Sequence, residues 1–488
     1  KMGEKVSRRD YLKVLGGTVG GLVVGAAVGY LAAPGKVVEK TVERTVTQTV
    51  TATATPTVTP TTPLVKVELP AWQWGAEYEA VNKALETIAN EWNAAHPEAI
   101  VKYTIFPELS EVEYALKVRQ AAEAGKPPAL FYMTNTTILT DLASDGYLEE
   151  PPSDILASVK EAIDPAFHYM LNMYSPEGEI KPYAGAVTIG LSACALYYNK
   201  RLFSEAGLDP NKPPQTWDDL IDAAKALVKR DSTGKMIRAG YSVRRGGNPG
   251  GIGEKFVPFA VGNGAKIIWK EGNKWYTDIN EKPVIEAAQF LYDLIHVYKV
   301  DDLEFPSWGY DPWLNETCAI SGPLGVGFIT NVQSSKPEML PYVGVTNVPS
   351  PGGIKTACSF GDLNVIAVCS KATKEQREKA WEFIRFFNSS ANIKRISNDI
   401  WNWTPYKVSI NNPPFSTEKA WMELNQVLSN VGRPHIVNEY GPGWLTLTYM
   451  LGNNLKRAFE KEVSVKEALD KTYQEWTDYM KTLKFYSG

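Results

Sequence analysis

The chain has 488 residues, of which 51 are Lys or Arg and 55 are Asp or Glu, so its formal net charge at pH 7 is −4. The first 63 residues hold eight of the basic and four of the acidic side chains, which leaves 43 and 51 in residues 64–488 and a net charge of −8 there. A net acidic chain without a basic run or stripe argues against nucleic acid as a partner.

The N-terminal 36 residues resemble an export signal. Residues 7–13 read Ser-Arg-Arg-Asp-Tyr-Leu-Lys, and an uncharged stretch rich in Gly, Ala and Val runs from residue 14 to residue 33. A paired arginine ahead of an apolar stretch resembles the twin-arginine signal, which a receptor reads to move folded proteins across a membrane. The stretch is also long enough to span a bilayer as a helix. We therefore expect residues 1–36 to be a cleaved signal or an uncleaved membrane anchor, and the rest of the chain to be extracytoplasmic.

Residues 37–63 form a Thr/Pro-rich segment that contains no Leu, Phe or Trp. Such a segment buries too little apolar surface to offset the entropy lost on ordering, so we expect an extended stalk. With an uncleaved anchor, the stalk would tether the protein to the membrane at the cell surface. With a cleaved signal, it would be a remnant linker.

Residues 64–488 exceed the length of roughly 250–300 residues at which a single hydrophobic core stops growing, which predicts two lobes. Exported proteins can form disulfides, and among the four cysteines the better candidate pair is Cys194 with Cys318. Buried free thiols are an equally open alternative. The four histidines are scattered and no Cys-x-x-Cys occurs, so the sequence indicates neither a metal site nor a cofactor.

Strands and helices alternate at the start of this globular part. Strands are predicted over residues 65–69, 100–106 and 129–133, and helices over residues 77–96, 112–124 and 137–144. This order predicts a parallel sheet with helices on both faces. Ligands of such sheets bind outside the carboxyl ends of the strands. Those ends are residues 71–74, 106–108 and 134–136.

The most specific pattern follows Lys181. Two strand-like runs end at Asn199, a short helix closes at Gly207, and Thr216 is placed to cap a helix that begins at Trp217. This stretch resembles the extracellular solute-binding proteins of ABC importers, in the sugar-binding branch that includes maltose-binding protein. The resemblance covers nearly all of residues 64–488. Further matches are Ser321-Gly322-Pro323-Leu324-Gly325, the Pro/Gly loop over 343–353, the strand over 359–368 and the helix over 379–387.

The resemblance implies an α/β, two-lobed periplasmic-binding-protein-like fold with a hinge and an interlobe cleft, preceded by the apolar helix and the Thr-rich stalk. It places hinge strands near residues 187–190 and 344–347, and a last crossing near residues 398–405. Lobe 1 would then hold residues 64–187 and 346–398, and lobe 2 residues 188–345 and 399–488. The implied function is capture of a mono- or oligosaccharide in the cleft by a monomer, which delivers it to the permease subunits of an ABC transporter.

Sugars present hydroxyl groups at the ring edge and C–H groups on the ring faces, so their sites combine polar side chains with aromatic rings. Matching the family by position places candidate ligand contacts at the predicted strand ends and crossings. These are Trp74, Glu77, Asn135, Thr136, Tyr183, Gly361, Asp362, Trp401 and Trp403. In one departure, Leu324 stands where family members often carry a Trp after Gly-Pro. Trp308 and Trp313 are the candidates to replace that aromatic platform.

Three other functions remain as alternatives. The first is binding of a non-sugar solute, either a peptide or a polyol phosphate; phosphate would need cleft arginines, for which Arg433 is the obvious candidate. The second is a tethered surface adhesion protein. The third is an exported glycosidase with Glu77 and Asp362 as its acid and base. We expect a binding protein rather than an enzyme, because the sequence contains no nucleophile motif, phosphate loop or metal cluster and the family resemblance is to binders.

Overall fold

The computed structural model describes residues 66–75, 79–189, 193–272, 274–305, 308–353, 358–359, 364–429 and 441–483. The expected signal or anchor (residues 1–36) and the stalk (residues 37–63) lie outside these residues. Within the described part, no helix combines the length and the apolar character that crossing a membrane requires.

The described chain is a mixture of strands and helices. The strands are β1 (Val67–Trp74), β2 (Ala99–Phe106), β3 (Leu130–Asn135), β4 (Leu148–Glu149), β5 (Asn172–Tyr174), β6 (Ile180–Pro182), β7 (Ala186–Ile189), β8 (Ala193–Asn199), β9 (Lys229–Arg230), β10 (Met236–Tyr241), β11 (Ile268–Glu271), β12 (Lys274–Thr277), β13 (Cys318–Gly325), β14 (Val343–Thr346), β15 (Cys358–Ser359) and β16 (Asn364–Cys369).

The helices are α1 (Glu79–Ala95), α2 (Glu111–Glu123), α3 (Thr136–Ser144), α4 (Ser153–Ala162), α5 (Lys200–Glu205), α6 (Trp217–Leu227), α7 (Pro249–Gly262), α8 (Lys282–His296), α9 (Tyr310–Leu314), α10 (Gly327–Ser335), α11 (Lys374–Phe387), α12 (Ser390–Ile396), α13 (Lys407–Ile410), α14 (Lys419–Ser429), α15 (Trp444–Phe459) and α16 (Val465–Met480). Short 3₁₀ turns cover Pro165–Leu171, Pro337–Tyr342 and Asn398–Ile400.

The first lobe is built on a sheet with the strand order β2-β1-β3-β16-β4, in which β7 also pairs with β16. Strand β1 runs parallel to both β2 and β3, as the alternating pattern predicts. The late strand β16 is antiparallel to β3. Because the first three strands are parallel, their carboxyl ends meet at one edge of the sheet.

The second lobe is built on a sheet with the order β14-β8-β13-β10-β9, in which β15 also pairs with β8. Helix α6 begins as the sequence predicts: the Thr216 hydroxyl accepts from the backbone N–H of Asp219 at 3.1 Å, and the Asp219 carboxylate accepts from the backbone N–H of Thr216 at 2.9 Å. Helix α15 packs on α7 and α16, so the C-terminal helices belong to this lobe.

The first sheet ends at Ile189 and the second begins at Ala193, so the first crossing lies between these two residues, next to the hinge predicted at residues 187–190. The predicted return at residues 344–347 is wrong. Both β14 and β15 still pair with β8, and the first sheet resumes only at Asn364. One edge of β8 accommodates both short strands, because Leu196–Asn199 pairs with β14 and Ala193–Cys194 with β15.

The last crossing also lies later than residues 398–405. Tyr406 forms a bridge with Ile163 of the first lobe, and its hydroxyl accepts from the backbone N–H of Val187 at 3.2 Å. The chain therefore stays on the first lobe to at least Tyr406 and reaches the second lobe by α14, which packs against β14 and β8. The lobe boundary at residue 399 is corrected accordingly.

The predicted disulfide between Cys194 and Cys318 is wrong, because Cys318 is a buried free thiol. Burial raises the pKa of this thiol, which keeps it protonated. Cys194 instead stands opposite Cys358 in the register of β8 and β15. In the described part of the chain, His, Cys, Asp and Glu do not group in a way that could hold a metal ion.

Candidate functional site

A cavity of about 740 Å³ lies between the two lobes, and both lobes contribute to its wall. From the first lobe it is lined by Trp74, Glu111, Asn135 and Asn364. From the second lobe it is lined by Arg244, Asn248, Gly251, Glu254, Lys255, Trp308, Gly309, Tyr310, Asp311, Pro312, Leu324, Gly325 and Asn331. A volume in the range of 300–1,000 Å³ suits a small-molecule ligand.

The first-lobe wall is formed at the sheet edge where the sequence predicts ligands to bind. Trp74 and Asn135 are the last residues of β1 and β3, and Asn364, the first residue of β16, stands opposite Asn135. The Trp74 indole N–H donates to the carbonyl of Leu109 at 3.0 Å, which fixes the ring at the cavity edge. Asn135 caps α3, because its Oδ1 accepts from the backbone N–H of Ile138 at 2.9 Å.

The Glu111 carboxylate joins the two walls. It accepts from Asn135 Nδ2 of the first lobe at 3.2 Å. From the second lobe it accepts from Asn248 Nδ2 at 3.3 Å and from the Tyr449 hydroxyl at 3.2 Å. Burial, together with the Glu111 charge, raises the pKa of Tyr449, so this hydroxyl remains a donor at neutral pH. The residue is therefore a hydrogen-bonded link between the lobes.

The second-lobe wall carries a contact between a cation and an aromatic ring. The guanidinium carbon of Arg244 lies 4.5 Å from the centre of the Trp308 ring. On another side the guanidinium fits against Gly251 near the start of α7, where an added Cβ would overlap it. Burial lowers the pKa of Arg244, and attraction to nearby negative groups, chiefly Glu254, partly offsets this lowering. An arginine stays charged under these conditions.

Three polar atoms of cavity-lining side chains are buried without a hydrogen-bond partner in the described structure. They are the donors Arg244 Nε and Trp308 Nε1 and the acceptor Asn331 Oδ1. An unsatisfied buried polar group costs about 1–3 kcal/mol. The cavity wall thus combines side chains that carry donors with a side chain that carries an acceptor.

Other charged side chains complete the lining. Glu254, Lys255 and Asp311 all lie on the second-lobe wall. The ammonium group of Lys255 is 3.0 Å from the Sγ atom of Cys194. Together with Glu111 and Arg244, these side chains give the lining three carboxylates and two cations.

Two of the nine residues predicted from the sequence, Trp74 and Asn135, line the cavity. Thr136 follows Asn135 in the buried first turn of α3 and does not line the cavity. Glu77, Gly361 and Asp362 lie outside the described residues, so their role in binding stays a prediction.

The structure places Tyr183, Trp401 and Trp403 away from the cavity lining. Tyr183 is buried in the hydrophobic core, and Trp401 is half-buried with its carbonyl accepting from the Thr330 hydroxyl at 2.5 Å. Trp403 is 1% exposed, and its indole N–H donates to Asn425 Oδ1 at 2.9 Å. This segment is packed between the two lobes, because Trp403 contacts Phe167 of the first lobe while Asn425 lies on α14 of the second.

Of the two candidates to replace the aromatic residue absent at position 324, only Trp308 lines the cavity. Leu324 lines it as well, whereas Trp313 is fully buried and packs edge-on against Phe328 with ring centres 5.0 Å apart. Sequence reasoning also expected Arg433 as the cleft arginine. Arg433 lies outside the described residues, and the arginine that lines the cavity is Arg244.

Sequence reasoning missed Glu111, Arg244, Asn248, Glu254, Lys255 and Asn331. Glu111 had a usable signal, because it follows a predicted strand end directly after Ser110, which caps α2. The others lie on helices and loops of the second lobe, for which the sequence offers no strand-end argument.

Known proteins resemble this chain in sequence. The family model for bacterial extracellular solute-binding proteins matches residues 75–394. An arabinooligosaccharide-binding protein of Halalkalibacterium halodurans is 24% identical over 249 residues, which are 47% of this chain and 52% of that protein. An sn-glycerol-3-phosphate-binding periplasmic protein of Escherichia coli K12 is 29% identical over 157 residues, 32% of this chain and 34% of that protein. The match thus spans about half the length of the first relative and about a third of the length of the second.

Solved structures share the two-lobed α/β fold. A mannobiose-bound protein, CpMnBP1, superposes with a TM-score of 0.67 at 21% identity, covering 84% of this chain and 99% of its own. A maltose-bound protein of T. maritima superposes with a TM-score of 0.65 at 17% identity, covering 84% and 98%. A solute-binding protein of Thermotoga lettingae bound to α-D-tagatose gives 0.64 at 18% identity, covering 84% and 98%. At these identities the likeness establishes the fold.

Proposed function

The chain belongs to the family of bacterial extracellular solute-binding proteins, and we propose that it binds a mono- or oligosaccharide in the cavity between its lobes. It then delivers the sugar to the permease subunits of an ABC transporter. The relatives and structural neighbours are binding proteins, and several are named for, or contain, a sugar.

The observation that carries the proposal is the composition of the cavity wall. Each lobe contributes one tryptophan, Trp74 or Trp308, and rings of this kind pack against the C–H faces of a sugar. The unpartnered donors and acceptor beside Trp308 suit hydroxyl groups, which both donate and accept hydrogen bonds. A purely apolar ligand would leave these atoms unsatisfied.

The link between the lobes supports a binding cycle based on closure. In addition to the Glu111 hydrogen bonds, the backbone N–H of Gly443 in the second lobe donates to Asp141 Oδ1 of the first lobe at 2.7 Å. Contacts of this kind form only when the lobes meet, and a ligand that touches both walls favours the closed state. The closed form is the one that a permease would recognise.

The family and the N-terminal sequence together support an extracytoplasmic location. Proteins of this family are extracellular, which agrees with the twin-arginine-like residues 7–13. We propose that residues 14–33, if uncleaved, anchor the chain in the membrane and that residues 37–63 hold the two lobes at a distance from it. The protein acts as a monomer.

Titration of the full-length protein with neutral mono- and oligosaccharides, followed by intrinsic tryptophan fluorescence and by calorimetry, tests the proposal. We expect a saturable change with one class of sugar, lost in Trp74→Ala and in Trp308→Ala. Trp269→Ala is the matched control, because Trp269 lies on the β11–β12 hairpin outside the cavity lining. No saturable response to any sugar by either method would refute the proposal.

A further inference from the structure

We propose that Arg244 forms an anion subsite in the cavity, so that the preferred ligand is a hydroxylated compound that carries a carboxylate or phosphate group. This inference deepens the proposed binding function and rests on it. Two ligand sources share the required chemistry: an acidic saccharide such as a uronate, and a phosphate ester of a sugar or polyol.

The first support is that the guanidinium of Arg244 lacks a protein counterpart. Within the described residues it makes no hydrogen bond and has no carboxylate within 4.0 Å, and its Nε is buried without a partner. By contrast, Arg245 pairs with the buried Asp301, and the Nε of the buried Arg238 donates to the carbonyl of Leu227 at 2.8 Å. A buried cation without a partner is costly, and an anion in direct contact removes that cost.

The second support is that Arg244 is held in a fixed orientation. The guanidinium carbon lies 4.5 Å from the centre of the Trp308 ring, and Gly251 provides room for the guanidinium where an added Cβ would overlap it. Contacts on these two sides restrict how the group can turn. The planar fork of guanidinium N–H donors matches the two oxygens of a carboxylate or phosphate.

The third support is the mixture of unpartnered atoms around the cation. Trp308 Nε1 is a second donor for an oxyanion, whereas Asn331 Oδ1 is an acceptor and requires a hydroxyl donor from the ligand. A simple inorganic anion would match only the donors of this wall. A ligand with both an anionic group and hydroxyl groups matches its mixed donor and acceptor character.

Two carboxylates of the lining, Glu111 and Glu254, do not replace a ligand anion at Arg244. Glu111 is engaged with Asn135, Asn248 and Tyr449. Glu254 and Glu111 act on Arg244 only through longer-range charge attraction. Such attraction keeps the guanidinium charged, but it supplies none of the hydrogen bonds that a bidentate anion would make.

The test compares matched ligand pairs by calorimetry on the full-length protein. The pairs are glucuronate with glucose, galacturonate with galactose, and glycerol 3-phosphate with glycerol, each at pH 7 and at one fixed salt concentration. We expect the anionic member of at least one pair to bind at least tenfold more tightly. Preference in the uronate pairs identifies an acidic saccharide, and preference in the glycerol pair identifies a phosphate ester.

Variants assign the preference to Arg244. In Arg244→Gln we expect the affinity for the anionic ligand to fall at least tenfold more than the affinity for its neutral partner. Arg244→Lys, which retains the charge without the fork, should recover part of the difference and controls for misfolding. Arg457→Gln is the matched control, because Arg457 lies on α15 outside the cavity lining and pairs with Glu462 beyond the end of that helix.

Each outcome decides between the two proposals. Equal or tighter binding of the neutral members, or an equal loss of both in Arg244→Gln, overturns the anion subsite and leaves the sugar receptor in place. Binding of glycerol 3-phosphate without binding of any saccharide retains the subsite and overturns the sugar receptor. Binding of none of the six compounds, when other sugars bind, overturns the subsite alone.

Discussion

The Tyr449 hydroxyl in the second lobe donates a hydrogen bond of 3.2 Å to the Glu111 carboxylate in the first lobe. These two residues are 338 positions apart in the chain, and the bond lies at the edge of the cavity that both lobes line. Because Asn248 adds a second bond to the same carboxylate oxygen, Glu111 couples the lobes at the binding site itself.

Removing the Tyr449 hydroxyl should favour the open state. A hydrogen bond to a charged group contributes about 1.5–3 kcal/mol, so we expect Tyr449→Phe to weaken ligand binding by roughly ten- to a hundredfold. Small-angle scattering of the ligand-free variant should give a larger radius of gyration than the parent protein. Tyr473→Phe, at an exposed tyrosine of α16, is the control. An unchanged radius and affinity in Tyr449→Phe would contradict a closing role for this bond.

Substitution of Gly251 tests the position of the Arg244 guanidinium while Arg244 and Trp308 themselves stay unchanged. The Cβ of Gly251→Ala would overlap the guanidinium, which must then leave the face of Trp308. We expect any selectivity for anionic ligands to fall at least tenfold, while helix α7 gains up to about 1 kcal/mol of intrinsic propensity. Gly246→Ala, where an added Cβ meets no atom within 4 Å, is the control. Calorimetry with matched ligand pairs and thermal unfolding measure the two effects.

Trp403 should contribute to stability rather than to ligand contact. Its ring is buried, packs edge-on against Phe167 with centres 5.3 Å apart, and donates to Asn425. We expect Trp403→Ala to lower the free energy of unfolding by about 3–5 kcal/mol, measured by urea denaturation. Trp269→Ala, at the partly exposed hairpin, should cost much less. A specific loss of affinity in Trp403→Ala with unchanged stability would restore the sequence-based prediction of a ligand contact.

Glu316 gives the second lobe a defined acid sensitivity. Burial alone would raise its pKa, but the Arg201 guanidinium and the Asn199 amide outweigh this effect and hold the pKa below its ordinary value. The folded state therefore binds the proton more weakly than the unfolded state, and the stability contributed by this pair is present above about pH 4.3, the ordinary value for glutamate. It is lost as the pH falls through the lowered value.

Glu316→Gln should accordingly flatten the decline in stability below about pH 4.3. The check is the urea midpoint of the variant and of the parent protein at pH 7 and at acidic pH. Glu338→Gln, at an exposed position, should leave the acid limb as in the parent. If the stability of Glu316→Gln declined as steeply at acidic pH as that of the parent, the Arg201–Glu316 pair would be excluded as the cause of the decline.

The sequence alone determined the elements that depend on neighbouring residues. Helix α1 begins and ends within two residues of the predicted range, because its apolar residues repeat at helical spacing and pack as one buried face. The Thr216 cap formed as predicted, since its bonds are to Asp219, three positions away. The parallel pairing of the first three strands followed from their alternation with helices, and it correctly placed Trp74 and Asn135 at the cavity.

Tertiary structure alone decided which distant segments meet. The edge of β8 accepts both β14 and β15, which moves the return crossing beyond Ser359, and the bridge from Ile163 to Tyr406 keeps the chain on the first lobe beyond Trp403. Arg244 and Trp308 come together only in the folded second lobe, and Glu111 reaches Tyr449 only across the cavity between the lobes. Local hydrogen bonds and side-chain periodicity encode single helices and strands, whereas these contacts depend on packing summed over the whole fold, for which no short stretch of sequence carries a signal.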